Sequence, residues 1–151
     1  MAKIRITRTK AAFVSGTMVL AGMGGTLLTA TPAAAIGWCN STTAVRLNFG
    51  EWLGEAQIPV YRTSSSVTRT CQMSKGSNSS AVGALQRTLN KCYRENLSVD
   101  NEFGENTRLA LIRAQKNSGV SGDGIYGPNT RDALAHYFKP VTPGYDDCSR
   151  I

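Results

Sequence analysis

The sequence predicts a mainly α fold, with three helices around one core, an internal repeat, a short N-terminal β hairpin and two disulfides. Three observations point there: a pattern written twice between residues 99 and 139, apolar residues at helical spacing before and within it, and four cysteines. In the first copy Asp100, Phe103, Gly104, Asn106, Thr107, Arg108, Ala110 and Leu111 stand in order. Twenty-three residues later Asp123, Tyr126, Gly127, Asn129, Thr130, Arg131, Ala133 and Leu134 repeat them without a gap. A match of that density marks a duplicated structural unit.

Each copy has a mechanical meaning. The aspartate caps its own following amides and starts a turn. The aromatic ring is a core plug, the glycine supplies a backbone angle closed to other residues, and a helix follows. Pro128 sits at the expected first helical position, where its missing N–H costs nothing.

In chain order, residues 1 to 35 are expected outside the fold. Lys3, Arg5, Arg8 and Lys10 form a basic start, an apolar stretch broken by Gly16, Gly22, Gly24 and Gly25 follows, and Ala33, Ala34 and Ala35 supply small residues. That is the plan of a secretory signal peptide cut after Ala35, so no membrane span is expected after cleavage. Residues 36 to 70 form an N-terminal extension. Val45, Leu47 and Phe49 alternate with polar neighbours, as do Ala56, Ile58 and Val60, which predicts a hairpin with Pro59 at an edge. Residues 63 to 70 are rich in Ser and Thr and read as a connector.

Residues 71 to 139 hold the helices. The first begins near Ser79 and turns Val82, Leu85, Leu89 and Cys92 to one face. The second runs from about Glu105 to Asn117 with Ala110, Leu111 and Ala114 inward. Leu109 and Ile112 are too apolar for open water, and residues 36 to 62 are expected to lie across them. The third runs from about Pro128 to Phe138 and buries Ala133, Leu134 and Tyr137. Residues 140 to 151 read as an irregular tail held by Cys148.

Composition narrows the function. Four of the 17 basic residues fall in the leader, leaving 13 against 10 acidic and a balance of +3. Those charges are dispersed, which argues against nucleic-acid binding. Four cysteines in an exported chain favour two disulfides, with three pairings open. Wide spacing and a single histidine argue against a metal site. That histidine, His136, reads as a surface residue near a helix end. Asp100 and Asp123 are turn formers rather than an acid–base pair, and the Asp123 loop lacks the alternating oxygens of a calcium cage. No catalytic set, cofactor or metal is expected.

Residues 76 to 137 resemble the three-helix bacterial peptidoglycan-binding domain. The resemblance rests on Gly76 and Ser77, the Val82, Leu85, Gln86, Leu89 helix, Asp100 to Thr107, Gln115, and Asp123 to Thr130 with Pro128 after Gly127. Asn101 stands where that family has glycine, and Ala114 where it has a larger residue. The resemblance implies non-catalytic binding of peptidoglycan outside a bacterial cell by a monomeric, free-standing module. It also implies that Cys71 packs beside the first helix, giving Cys71–Cys92 and Cys39–Cys148. Contacts to sugar or peptide are expected from Asn106, Arg108, Tyr126, Asn129 and Arg131. A small secreted wall hydrolase and a module gripping a wall enzyme are the alternatives.

Overall fold

A computed structural model describes residues 35–151, so the expected leader lies outside the described residues except for Ala35. Among the described residues there are three helices and seven strands in two sheets, which corrects the mainly α expectation. The strands are β1 (Gly37–Trp38), β2 (Ser41–Asn48), β3 (Leu53–Arg62), β4 (Val67–Thr68), β5 (Cys71–Gln72), β6 (His136–Pro140) and β7 (Asp147–Ser149). The helices are α1 (Ser80–Tyr93), α2 (Glu105–Asn117) and α3 (Pro128–Ala133).

The hairpin forms from β2 and β3, in register from Ser41 opposite Val60 to Asn48 opposite Leu53. Its period-two pattern puts Ala56 and Ile58 in a small core with Phe138, flanked by Val45, Leu47 and Phe49. Phe49 stacks on Trp52 at 4.4 Å and meets Phe138 edge-on at 5.5 Å, both favoured aromatic geometries. Pro59 lies between the short pairings of β6 with Gly54 and Glu55 and of β4 with Tyr61 and Arg62. Its missing N–H therefore breaks no ladder there.

The sequence misleads most at the third helix. It ends at Ala133, because Leu134 turns extended with φ −73° and ψ 144°. The next residues run as β6, antiparallel to β3 and to β7, and the tail beyond it is irregular until β7 and Cys148 fix it, as expected. A run as short as His136 to Phe138 carries no period that separates helix from strand. Pairing with Gly54 and Glu55 decides it. Phe138 is buried, whereas Tyr137 and Ala133 are only partly covered.

His136 is correspondingly not a surface residue. It is 2% exposed, and its Nε2–H donates to the Arg131 carbonyl at 2.8 Å. Burial holds its pKa below the ordinary 6.5; the hydrogen bond to the Arg131 carbonyl opposes that shift, the Arg131 charge adds to it, and the Asp132 charge opposes it. The unfolded chain therefore binds the proton first. Stability from neutral His136 is complete above pH 6.5 and falls as pH drops toward the lower folded pKa. Guanidinium midpoints are expected to decline between pH 7 and 5.5, and His136→Gln should flatten that decline.

α1 is the central helix. It begins after Ser79 as expected, although the Ser79 hydroxyl donates to the Cys39 carbonyl at 3.1 Å rather than capping the helix. Its buried residues, from Ala81 to Leu89, face α2 on one side and β2, β3 and β6 on the other. α2 runs as predicted with Ala110, Leu111 and Ala114 inward. The N-terminal extension does not cover its outer face. Leu109 stays 41% exposed, and Ile112 packs beside Gly122 and Gly124 of the second repeat loop. The hairpin instead packs Ala56 and Ile58 against Phe138 of β6.

The disulfides are Cys39–Cys71 and Cys92–Cys148, not the expected Cys71–Cys92 and Cys39–Cys148. The parallel pairing of β1 with β5 sets Cys39 beside Cys71, since Gly37 faces Cys71 and the Cys39 N–H bonds Gln72. The β6–β7 hairpin carries Cys148 back to Cys92 at the end of α1. Both pairings follow from strands that sequence periodicity leaves invisible.

Candidate functional site

The two repeat loops are built on one plan, and a buried glutamine is its centre. Gln86 of α1 donates through Nε2 to Asp100 Oδ1 at 2.7 Å, to the Glu102 carbonyl at 3.0 Å and to Thr107 Oγ1 at 3.3 Å. Its Oε1 accepts from the Asn101 N–H at 3.1 Å. Gln115 of α2 repeats every contact: Asp123 Oδ1 at 2.8 Å, the Ile125 carbonyl at 2.9 Å, Thr130 Oγ1 at 3.0 Å and the Gly124 N–H at 2.9 Å. Both glutamines are 1% exposed, and burial without loss is possible because each amide is satisfied.

Each aspartate turns its loop as expected. Asp100 Oδ1 accepts from the Glu102 N–H and Asp123 Oδ1 from the Ile125 N–H, both at 2.9 Å. The hydrogen bond from Gln86, then that from Glu102, holds the Asp100 pKa below the usual carboxylate range. The left-handed residues are Asn101, φ 66°, and Gly124, φ 73°. Asparagine tolerates that region, which is why it stands in for glycine in the first copy.

Gly104 and Gly127 correct the expectation of a special backbone angle. Their φ values are −80° and −139°, open to any residue, and both precede a helix in extended conformation. A Cβ on either would meet nothing within 4 Å. Instead both line depressions. One, about 260 Å³, is lined among others by Asp100, Glu102, Gly104, Asn106 and Thr107. The other, also about 260 Å³, is lined by Asp123, Ile125, Gly127, Asn129 and Thr130, at equal repeat positions. Without a side chain, neither glycine fills any of its hollow.

The structure distributes the five predicted contact residues unevenly. Asn106 and Asn129 are exposed at the two depressions. Arg108 is drawn onto Glu105, with Nε and Nη2 at 3.1 and 2.9 Å. Hydrogen bonds from Arg108 and then Lys75 push the Glu105 pKa down to about 2. Arg131 bonds Asp132 at 2.7 Å and the Arg69 carbonyl at 2.7 Å. Tyr126 is 1% exposed, a core plug like Phe103, and has no surface to offer.

The Tyr126 hydroxyl is buried with no hydrogen-bond partner among the described residues. An orphaned hydroxyl costs about 1–3 kcal/mol. Tyr126→Phe, which copies Phe103, is expected to leave the fold intact and raise the guanidinium midpoint. A lower midpoint would mean that the hydroxyl has an undetected partner.

The glutamines are what sequence reasoning missed as loop organisers. Leu85 and Gln86 answer Ala114 and Gln115, but Gln86 precedes Asp100 by 14 residues and Gln115 precedes Asp123 by eight. The duplication is thus longer than the ungapped match shows. A larger depression, about 510 Å³, lies between α1 and the sheet, with Arg87, Lys139, Glu55 and Tyr137 in its lining. It has no repeat-related partner among the described residues.

Residues 78–134 match the family described as "Putative peptidoglycan binding domain". Over 98 residues the chain is 32% identical to a "Probable N-acetylmuramoyl-L-alanine amidase" of Bacillus licheniformis. That alignment covers 62% of this chain and 28% of the relative, so the chain spans little more than a quarter of that protein's length. A solved peptidoglycan-binding protein of Clostridioides difficile, in complex with glutamine hydroxamate, is 26% identical. It aligns over 60% of this chain and 54% of that one, with a TM-score of 0.43.

Proposed function

We propose, from the premise that residues 78–134 form a peptidoglycan-binding domain of this family, that the protein is exported and binds bacterial cell-wall peptidoglycan without cutting it. The observation that carries this reading is the pair of repeat-related depressions, each opened by a glycine that the fold itself does not require. Asn106 and Asn129 supply amide donors and acceptors at their edges. Arg108 and Arg131 shape the loops through their ion pairs. Export is supported by the leader pattern and by two disulfides, which persist in oxidising compartments.

A binding role without turnover is supported by where the reactive groups stand. Asp100 and Asp123 are occupied by glutamine and backbone amides. His136 is buried on a carbonyl, and all four cysteines are bonded.

Gly104→Ala and Gly127→Ala test the depressions directly. Their backbone angles accept alanine, and losing glycine at a helix N-cap costs about 1 kcal/mol at most. Each variant is expected to remain folded yet sediment with insoluble peptidoglycan roughly tenfold less tightly, a loss of about 1.4 kcal/mol. Unaltered sedimentation by both variants would remove the depressions as the site. Soluble muropeptides released by the pure protein would overturn the non-catalytic part.

A further inference from the structure

The depression of the first loop does not stop at Gly104. It shares Glu102 and Gly104 with a second hollow of about 390 Å³, which is also lined by residues 75 to 78. Those same four residues line a third hollow, about 430 Å³, whose far wall is Trp38. The three hollows form one tract from Asn96 and Asn106 to the indole. The second repeat loop has no matching continuation among the described residues. Its depression is bounded by Ile36, Ile125 and Pro128.

Trp38 lies outside the matched family segment and is 55% exposed, an unusual place for the largest apolar side chain. It is also held firmly. β1 pairs with β5, Cys39 is bonded to Cys71, and the Cys39 carbonyl accepts from Ser79 Oγ. The other tryptophan, Trp52, is stacked on Phe49 and serves the small core. Trp38 has no such internal duty.

The chemistry of the tract selects its ligand. Lys75 is neutralised by Glu105 at 2.9 Å, so the middle of the tract offers no free cation for a carboxylate or phosphate. Around that pair stand the carboxylates of Asp100 and Glu102, which further disfavour an anion, and the amides of Asn78, Asn96 and Asn106. Amide donors and acceptors with a flat aromatic end suit a neutral chain of sugar rings, which presents hydroxyls and acetamido groups at its edges and C–H bonds on its faces.

We propose that Trp38 is the terminal platform of a glycan subsite that runs over the first repeat loop and takes a β-1,4-linked N-acetylhexosamine chain. This rests on the wall-binding reading and assigns the glycan, rather than the peptide, to the first loop. A longer chain can contact all three hollows, from Asn106 to the indole, where a disaccharide contacts fewer of them. Affinity therefore rises with chain length, and Trp38 carries the increment.

The test is calorimetric titration of the disulfide-intact protein with chitobiose and chitohexaose, beside sedimentation with peptidoglycan. Wild type is expected to prefer the hexamer by tenfold or more. Trp38→Ala should lose that preference while keeping its affinity for the dimer, and Trp38→Phe should retain part of it. Circular dichroism of both variants should match wild type, since the side chain is exposed. Equal hexamer affinity for wild type and Trp38→Ala overturns the proposal. So does a wild type that sediments with walls but binds neither oligosaccharide, and in that case the wall-binding reading stands. Length-dependent, Trp38-dependent chitohexaose binding without wall sedimentation supports the subsite and removes the wall reading alone.

Discussion

Reduction of both disulfides is expected to unfold the protein at room temperature. Cys39–Cys71 closes a span of 32 residues and Cys92–Cys148 one of 56. Their restriction of the unfolded chain is worth about 3.7 and 4.2 kcal/mol in the loop-entropy account. Together that is about 8 kcal/mol, comparable with the whole stability of an ordinary domain, 5–15 kcal/mol. The loss should be stepwise. Cys148 is exposed and Cys92 partly so, whereas Cys39 and Cys71 are 3% and 0% exposed. A thiol reductant reaches Cys92–Cys148 sooner, because exchange needs access to sulfur. Mild reduction should free the β7 end with α1 and α2 still helical, and full reduction should abolish the cooperative melt. Alkylation mapping by mass spectrometry gives the order. A reduced protein with an unchanged melting temperature would show that packing alone sustains the fold.

Gln115→Ala is expected to be the most damaging single change outside the cysteines. It removes the acceptor of the buried Gly124 N–H and the donors to Asp123, the Ile125 carbonyl and Thr130. One unsatisfied buried amide costs about 1–3 kcal/mol, and the vacated side-chain volume adds to it. A loss of about 3–4 kcal/mol follows, with amide protection falling first over residues 123 to 130. Gln115→Glu separates shape from charge. It keeps the volume but sets a second carboxylate against Asp123 Oδ1, where Gln115 Nε2 now lies at 2.8 Å. Two carboxylates at that distance cannot both ionise. The Gln115→Glu protein should therefore regain stability as pH falls toward 4.5, where wild type gains none. A pH-independent deficit would refute this account of the loop.

Most of the local structure was legible because it is local. Asp100 and Asp123 turn their loops, Phe103 and Tyr126 plug the core, and α1 and α2 keep their predicted starts and inner faces. In each case the cause lies within a few residues of the effect. The same reasoning failed for Gly104 and Gly127. A glycine reads identically in sequence whether it serves a backbone angle or leaves a hollow open.

By itself, the sequence determined the duplicated turn-and-helix unit, the hairpin, and the resemblance that leads to peptidoglycan. Tertiary structure alone decided β6 and β7, the disulfide pairing, the burial of His136 and the shared role of Gln86 and Gln115. The physical reason is common to all four. Each depends on partners distant in the chain, such as Gly54 and Glu55 for β6, Cys148 for Cys92, and Asp100 for Gln86. A strand of five residues or a buried amide has no periodic signature of its own, and its state is fixed only when a distant partner satisfies its hydrogen bonds.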